Sequence, residues 1–123
     1  MTTMASRIVS LPIDCVNAEL VAAFWADVLG WQVVGRGSYG VSIGGSDTHF
    51  EIDFRTVPEP KKSKNRLHLD INPTDRDQAA ELERLLALGA TPVAVGQGTD
   101  VSWHVLADPE GNEFCLCRAT VDP

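Results

Sequence analysis

Arg66, His68 and Asp70 alternate along the segment RLHLDIN, so in an extended strand their side chains share one face. A histidine beside a carboxylate suits general acid–base chemistry near neutral pH, because its ring titrates there and the carboxylate fixes the tautomer. His68 and Asp70 are therefore the candidate catalytic pair. The same His68 also reads as a hydrogen-bonded ring lining a polar cavity without chemistry, or as one donor of a nonstandard metal site with Glu51 or Asp53. Two more alternating runs add polar groups. HFEIDFRTV sets Glu51, Asp53 and Arg55 against Phe50, Ile52 and Phe54, and SLPIDC sets Ser10, Pro12 and Asp14 against Leu11, Ile13 and Cys15. Arg55 and Arg66 are suited to holding a ligand carboxylate by a two-pronged hydrogen bond, or to pairing with the neighbouring carboxylates. Asp14 and Asp70 also stand just before expected helix starts, where free N–H groups favour a carboxylate. Cys115 and Cys117 share a face of the run EFCLCRA and read as small buried hydrophobes, as pocket lining or as a reactive thiol.

Two similar sets of elements must position these groups. After the strand ending near Cys15, Asn17 is a candidate N-cap; Leu20, Val21, Phe24 and Val28 follow at helical spacing, and Gly30 suits the helix stop. WQVVGR, YGVSIG and HFEIDFRTV then read as three strands separated by glycine-containing turns. VPEPKKSKN has two prolines, three lysines and few apolar residues, and reads as an exposed linker. Thereafter the pattern repeats. RLHLDIN is a strand, and Thr74 and Asp77 are spaced as a capping box before the helical stripe Ala79, Leu82, Leu85 and Leu86, which Gly89 closes. TPVAVG, VSWHVLAD and EFCLCRA are three further strands, the last two joined by the turn DPEGN. In this reading Ile13-Asp14 corresponds to Leu69-Asp70, and Phe50-Glu51-Ile52 to Phe114-Cys115-Leu116. One domain of two βαβββ modules is expected, at about 7–56 and 66–118 with a linker at 57–65; Trp25 belongs to the core, while Trp31 and Trp103 border a pocket or pack at an interface.

Composition narrows the function. The 123 residues are 44% hydrophobic and 22% charged, which places the chain among globular domains. A net charge of −7 opposes binding to a phosphate backbone, so no nucleic-acid partner is expected. No apolar run is long enough to span a membrane and the first residues lack a secretory pattern, so a cytoplasmic location is expected. Three cysteines without a C-x-x-C spacing make neither a disulfide framework nor a zinc site.

The stretches IDCVNAELVAAFWADVLGWQV, VPEPKKSKNRLHLDI, LLALGATPV and WHVLADPEGNEFCL together resemble the vicinal oxygen chelate superfamily, and within it the glyoxalase-like and bleomycin-resistance-like members. The resemblance implies an α+β fold with helices outside and a cleft inside, and metal ligands on the first and last strand of each module. Those positions correspond here to Ser10, Glu51, Arg66 and Cys115. Only Glu51 is an ordinary ligand for a hard divalent ion, and a guanidinium at Arg66 repels one, so neither the usual metal nor another cofactor is expected. The expected function is binding of a small molecule, anionic or oxygen-rich, by Ser10, Asp14, Glu51, Asp53, Arg55, Arg66, His68 and Cys115, in a homodimer. The alternatives are a glyoxalase-like lyase or isomerase on a rearranged metal site, another enzyme using His68, and a structural or regulatory dimer with a vestigial pocket.

Overall fold

Alternating polar and apolar residues around two amphipathic stretches give two four-stranded sheets, each with one helix inserted after its first strand. The computed structural model describes residues 5–93 and 103–123. These fall into two compact units divided between Glu59 and Pro60, inside the segment expected to link the modules. In the first unit, β1 (Ser10–Cys15), α1 (Ala18–Leu29), β2 (Gln32–Gly37), β3 (Gly40–Gly44) and β4 (Glu51–Thr56) form a sheet of order β1-β4-β3-β2. In the second, β5 (Leu69–Ile71), α2 (Gln78–Leu88), β6 (Thr91–Pro92), β7 (His104–Ala107) and β8 (Glu113–Leu116) form a sheet of order β5-β8-β7-β6. The α+β class and the two βαβββ modules are as expected. The expected strands TPVAVG and VSWHVLAD are seen as β6 and β7, their residues 94–96, 101 and 102 lying outside the described residues. No helix among the described residues is long and apolar enough to cross a membrane.

In the first unit Asn17 caps α1 through its side-chain oxygen, which accepts from Leu20 N at 3.1 Å, and Gly30 ends the helix in the left-handed region at φ 68°. The helix packs on β2, β3 and β4. Its buried face is Ala18, Val21, Ala22, Phe24, Trp25 and Val28, whereas Leu20, expected in the stripe, points to solvent with 49% exposure. Val41, Ile43, Ile52, Phe54 and Cys15 are buried on the sheet side. Burying large side chains such as Trp25 and Phe54 contributes roughly 1.5–3 kcal/mol each, and this apolar layer fixes which strand face looks away from the helix.

The second unit differs from its sequence reading at the helix start. Asp77 itself is the N-cap, accepting from Ala80 N at 2.8 Å, rather than the third-residue partner of Thr74. Starting the helix there turns Glu81 and Leu85 inward and leaves Leu86 exposed. The buried Glu81 carboxylate is met by Arg84 in two bonds of 2.7 and 2.9 Å, which offset its desolvation.

Gly40 is the residue the first sheet cannot replace. Its φ is 140°, and a Cβ there would stand 1.9 Å from the Phe54 carbonyl oxygen. Gly30 also has positive φ but nothing within 4 Å of its would-be Cβ. Gly40→Ala should therefore cost about 3 kcal/mol or more, and Gly30→Ala about 1 kcal/mol, in urea unfolding. Equal losses in the two variants would contradict this packing.

Candidate functional site

The face of the first sheet turned away from α1 collects polar residues of β1, β3 and β4. Parallel pairing of β1 with β4 sets Ser10 opposite Glu51, Pro12 opposite Asp53 and Asp14 opposite Arg55. Antiparallel pairing of β3 with β4 adds Ser42 beside Asp53 and Gly40 beside Arg55. Asp14, Glu51 and Arg55 are exposed and make no side-chain hydrogen bond or ion pair among the described residues, although Asp14 and Arg55 are neighbours in register. Asp53 is half-buried and accepts from Ser42 Oγ at 2.7 Å. Ser42 has one hydroxyl proton, and it goes to that carboxylate. In the 2.6 Å contact between Ser42 Oγ and Tyr39 Oη, the tyrosine is therefore the donor. The Tyr39 ring lies against β2, where a Cβ on Gly35 or Gly37 would meet it at 3.1–3.2 Å. Tyr39 and Ser42 were not singled out in the sequence. The signal for Ser42 was available, since Gly40, Ser42 and Gly44 alternate as Glu51, Asp53 and Arg55 do.

In the second unit the expected trio separates. β5 begins only at Leu69, so Arg66 and His68 precede the strand, Arg66 in a bend and exposed. Asp70 is in β5 and stands opposite Cys115, and it makes no hydrogen bond to His68 among the described residues. The His68 tautomer is set instead by the Asn65 carbonyl, which accepts from Nε2 at 2.6 Å. Asn65 is held in turn by Glu113, whose Oε2 accepts from Asn65 N at 2.9 Å while Oε1 takes Lys61 Nζ at 2.7 Å. The basic run expected as a free linker is thus pinned to β8. Burial alone would raise the Glu113 carboxyl, but Lys61 and the Asn65 N–H outweigh it and hold it below its ordinary range. Glu113 was missed because its partners lie 48 and 52 residues away in sequence. Burial pushes the Cys115 and Cys117 thiols up, and the Asp70 carboxylate adds to the effect.

Sequence correspondence and register disagree at one point. Leu69 pairs with Phe114, while Ile13 pairs with Phe54. If Asp14 is the counterpart of Asp70, the counterpart of Cys115 is Arg55 and not Glu51, four residues away. A slide by an even number of residues keeps every side chain on its face, so alternation alone does not expose it. A metal site needs converging donors, and among the described residues no group of three or more His, Cys, Asp or Glu side chains is placed to hold one. Glu51 and Asp53 have Arg55 on the same strand, and the Nε2 of His68 already serves Asn65. The tryptophans are plainly placed: Trp25 is in the core, whereas Trp31 meets Phe50 edge-on at 6.1 Å and Trp103 is 42% exposed.

The family model described as a glyoxalase-like domain matches residues 10–117. No curated protein matches the sequence. Among solved structures, fosfomycin resistance protein FosX from Listeria monocytogenes, a variant complexed with Mn(II) and a dihydroxypropylphosphonic acid, is similar at TM-score 0.72 and 12% identity, over 96% of this chain and 94% of that one. The antibiotic binding protein TnmS3 from Streptomyces sp. CB03234 gives 0.60 and 18%, over 98% and 99%. A glyoxalase/bleomycin resistance protein/dioxygenase family enzyme from Burkholderia phytofirmans gives 0.61 and 19%, over 87% and 94%. At these identities the structures speak for the fold.

Two outcomes follow from the second unit's electrostatics. A carboxyl whose folded pKa is lowered stabilises the fold fully above its unfolded value, here about 4.5, and loses that contribution as pH falls through the lower folded value. Glu113→Gln should thus lose about 2 kcal/mol near neutral pH and show a flatter acid limb below about pH 4.5 in urea titrations. Asp70→Asn should lower the thiol pKa values and speed alkylation of Cys115 and Cys117 roughly threefold at fixed mildly alkaline pH. Unchanged alkylation rates would show that the carboxylate does not act on the thiols.

Proposed function

The chain belongs to the glyoxalase-like domain family, within the vicinal oxygen chelate superfamily, and from that premise we propose that it binds a small oxygen-rich or anionic molecule on the polar sheet faces, without the usual metal. The observation that carries this reading is Arg55. It stands on a strand face turned away from the helix, beside the side-chain-free Gly40, and its guanidinium makes no hydrogen bond or ion pair among the described residues. A guanidinium so placed has its donors available for a ligand oxygen or carboxylate. Ser10, Asp14, Glu51, Asp53, Arg66, His68 and Cys115 complete the proposed contact set. The names of fold neighbours, one an antibiotic binding protein and another a fosfomycin resistance protein, support a small molecule as the occupant.

A catalytic role for His68, with Asp70 nearby in sequence, is the second reading. It is supported by the fixed donation from Nε2, which leaves Nδ1 without a hydrogen-bond partner among the described residues. We also propose a cytoplasmic homodimer. Ile8, Val9 and Leu67, at 69%, 60% and 66% exposure, supply apolar surface for a second copy.

A thermal-shift screen over oxygen-rich metabolites and antibiotics tests the binding reading. A ligand at a hundredfold excess over its Kd adds about 2.7 kcal/mol to the folded state, so a hit should raise the melting temperature by several degrees. Arg55→Ala and Arg66→Ala should each weaken the hit by about 2–5 kcal/mol where the contact is buried. A panel in which nothing shifts the wild-type transition would end this reading. For the catalytic one, His68→Ala should lower turnover more than affinity. Light scattering should give about twice the 13.3 kDa chain mass; a value at 13.3 kDa would exclude the dimer.

A further inference from the structure

Glu113 does more than anchor a linker. Its two oxygens are both engaged, one by Lys61 Nζ at 2.7 Å and one by the Asn65 N–H at 2.9 Å, and its side chain is 11% exposed. Across the Cα of the same residue, the Asn65 carbonyl is the acceptor for His68 Nε2 at 2.6 Å. A carbonyl only accepts, so the ring nitrogen facing it must carry the proton. In the neutral ring Nδ1 is then an acceptor, and it has no hydrogen-bond partner among the described residues. Two residues, Arg66 and Leu67, separate Asn65 from His68, and both are exposed. Among the described residues the Asn65 carbonyl is the hydrogen-bond partner of the ring, and Glu113 is the side chain that takes the Asn65 N–H.

We propose that Glu113 is a positioning residue for His68, acting through the Asn65 residue to keep Nε2 as a donor and to present Nδ1 as an acceptor. This rests on the reading above that His68 borders the bound molecule. It adds that the part of the molecule meeting His68 is a hydrogen-bond donor, a hydroxyl or an N–H, rather than a bare carboxylate oxygen. Where His68 takes up a proton in a reaction, Nδ1 is the atom that receives it.

The test needs no ligand, so its failure is separable from failure of the binding reading. Proton and nitrogen NMR of the full chain should show a His68 Nε2–H signal protected from water exchange, with the Asn65 N–H opening at the same free energy. Glu113→Ala should expose the Nε2–H, with exchange faster by at least about tenfold while the β8 amides stay protected. Glu113→Gln keeps an oxygen that can accept from Asn65 N and should preserve the signal, as should Lys61→Met, which removes the ion pair and the Lys61 bond to the Ser63 carbonyl but leaves the Glu113–Asn65 bond. That pattern is one that general destabilisation does not produce. A protected Nε2–H in folded Glu113→Ala would overturn the proposal. If that variant does not fold, the wild-type rates decide: an Nε2–H exchanging as in free imidazole beside a protected Asn65 N–H would overturn it equally.

Discussion

Each unit is closed by a parallel pairing between its first and last strands, β1 with β4 and β5 with β8. Parallel neighbours cannot be joined by a tight turn and need a long crossover, which here consists of the helix and two further strands. The pairing is what brings Ser10 to Glu51, Asp14 to Arg55 and Asp70 to Cys115, residues with no local reason to meet. It also determines which side of each strand is polar and open. In the first unit the apolar half is committed to α1, and Ser10, Asp14, Glu51, Asp53 and Arg55 are left on the opposite face. The chemistry available to that unit is therefore a by-product of how its sheet closes.

The fold was legible because its signals are local. Asn17, Gly30, the helical stripe of α1 and the alternation in β1 and β4 each report on neighbours within a few residues, and each stands where the sequence puts it. Leu20 and Leu86 read as core and are exposed, because a helix buries only the arc its packing selects, and the N-cap determines that arc. The site was legible in part. Strand parity placed Ser10, Asp14, Glu51, Asp53 and Arg55 on one face correctly. It failed for Arg66 and His68, because alternation continues in sequence before the hydrogen-bonded ladder of β5 begins. Glu113 was invisible to any local argument, since the groups that satisfy it come from the far side of a helix and three strands.

The two units also treat their buried charges differently. In the first, Asp53 is satisfied by hydroxyls, Ser42 passing on what Tyr39 donates to it. In the second, Glu81 and Glu113 are each met by a cation, and Asp108 by the amide groups of its own turn. A hydroxyl chain leaves the carboxylate's charge uncancelled, so the open face of the first unit keeps more of its field than the comparable groups of the second.

The grip of Glu113 on the linker has a consequence for a chain made from one end to the other. Lys61, Asn65 and His68 leave the ribosome well before Glu113 does, and until that residue emerges Lys61 and the Asn65 N–H lack the carboxylate that meets them. By then β1 and β4 have both been synthesised, and the first sheet can close on its own strands. The Glu113 contacts to Lys61 and Asn65 therefore form only at the step that completes the second sheet. The order of synthesis thus gives the first unit time to fold before those contacts tie the linker to β8.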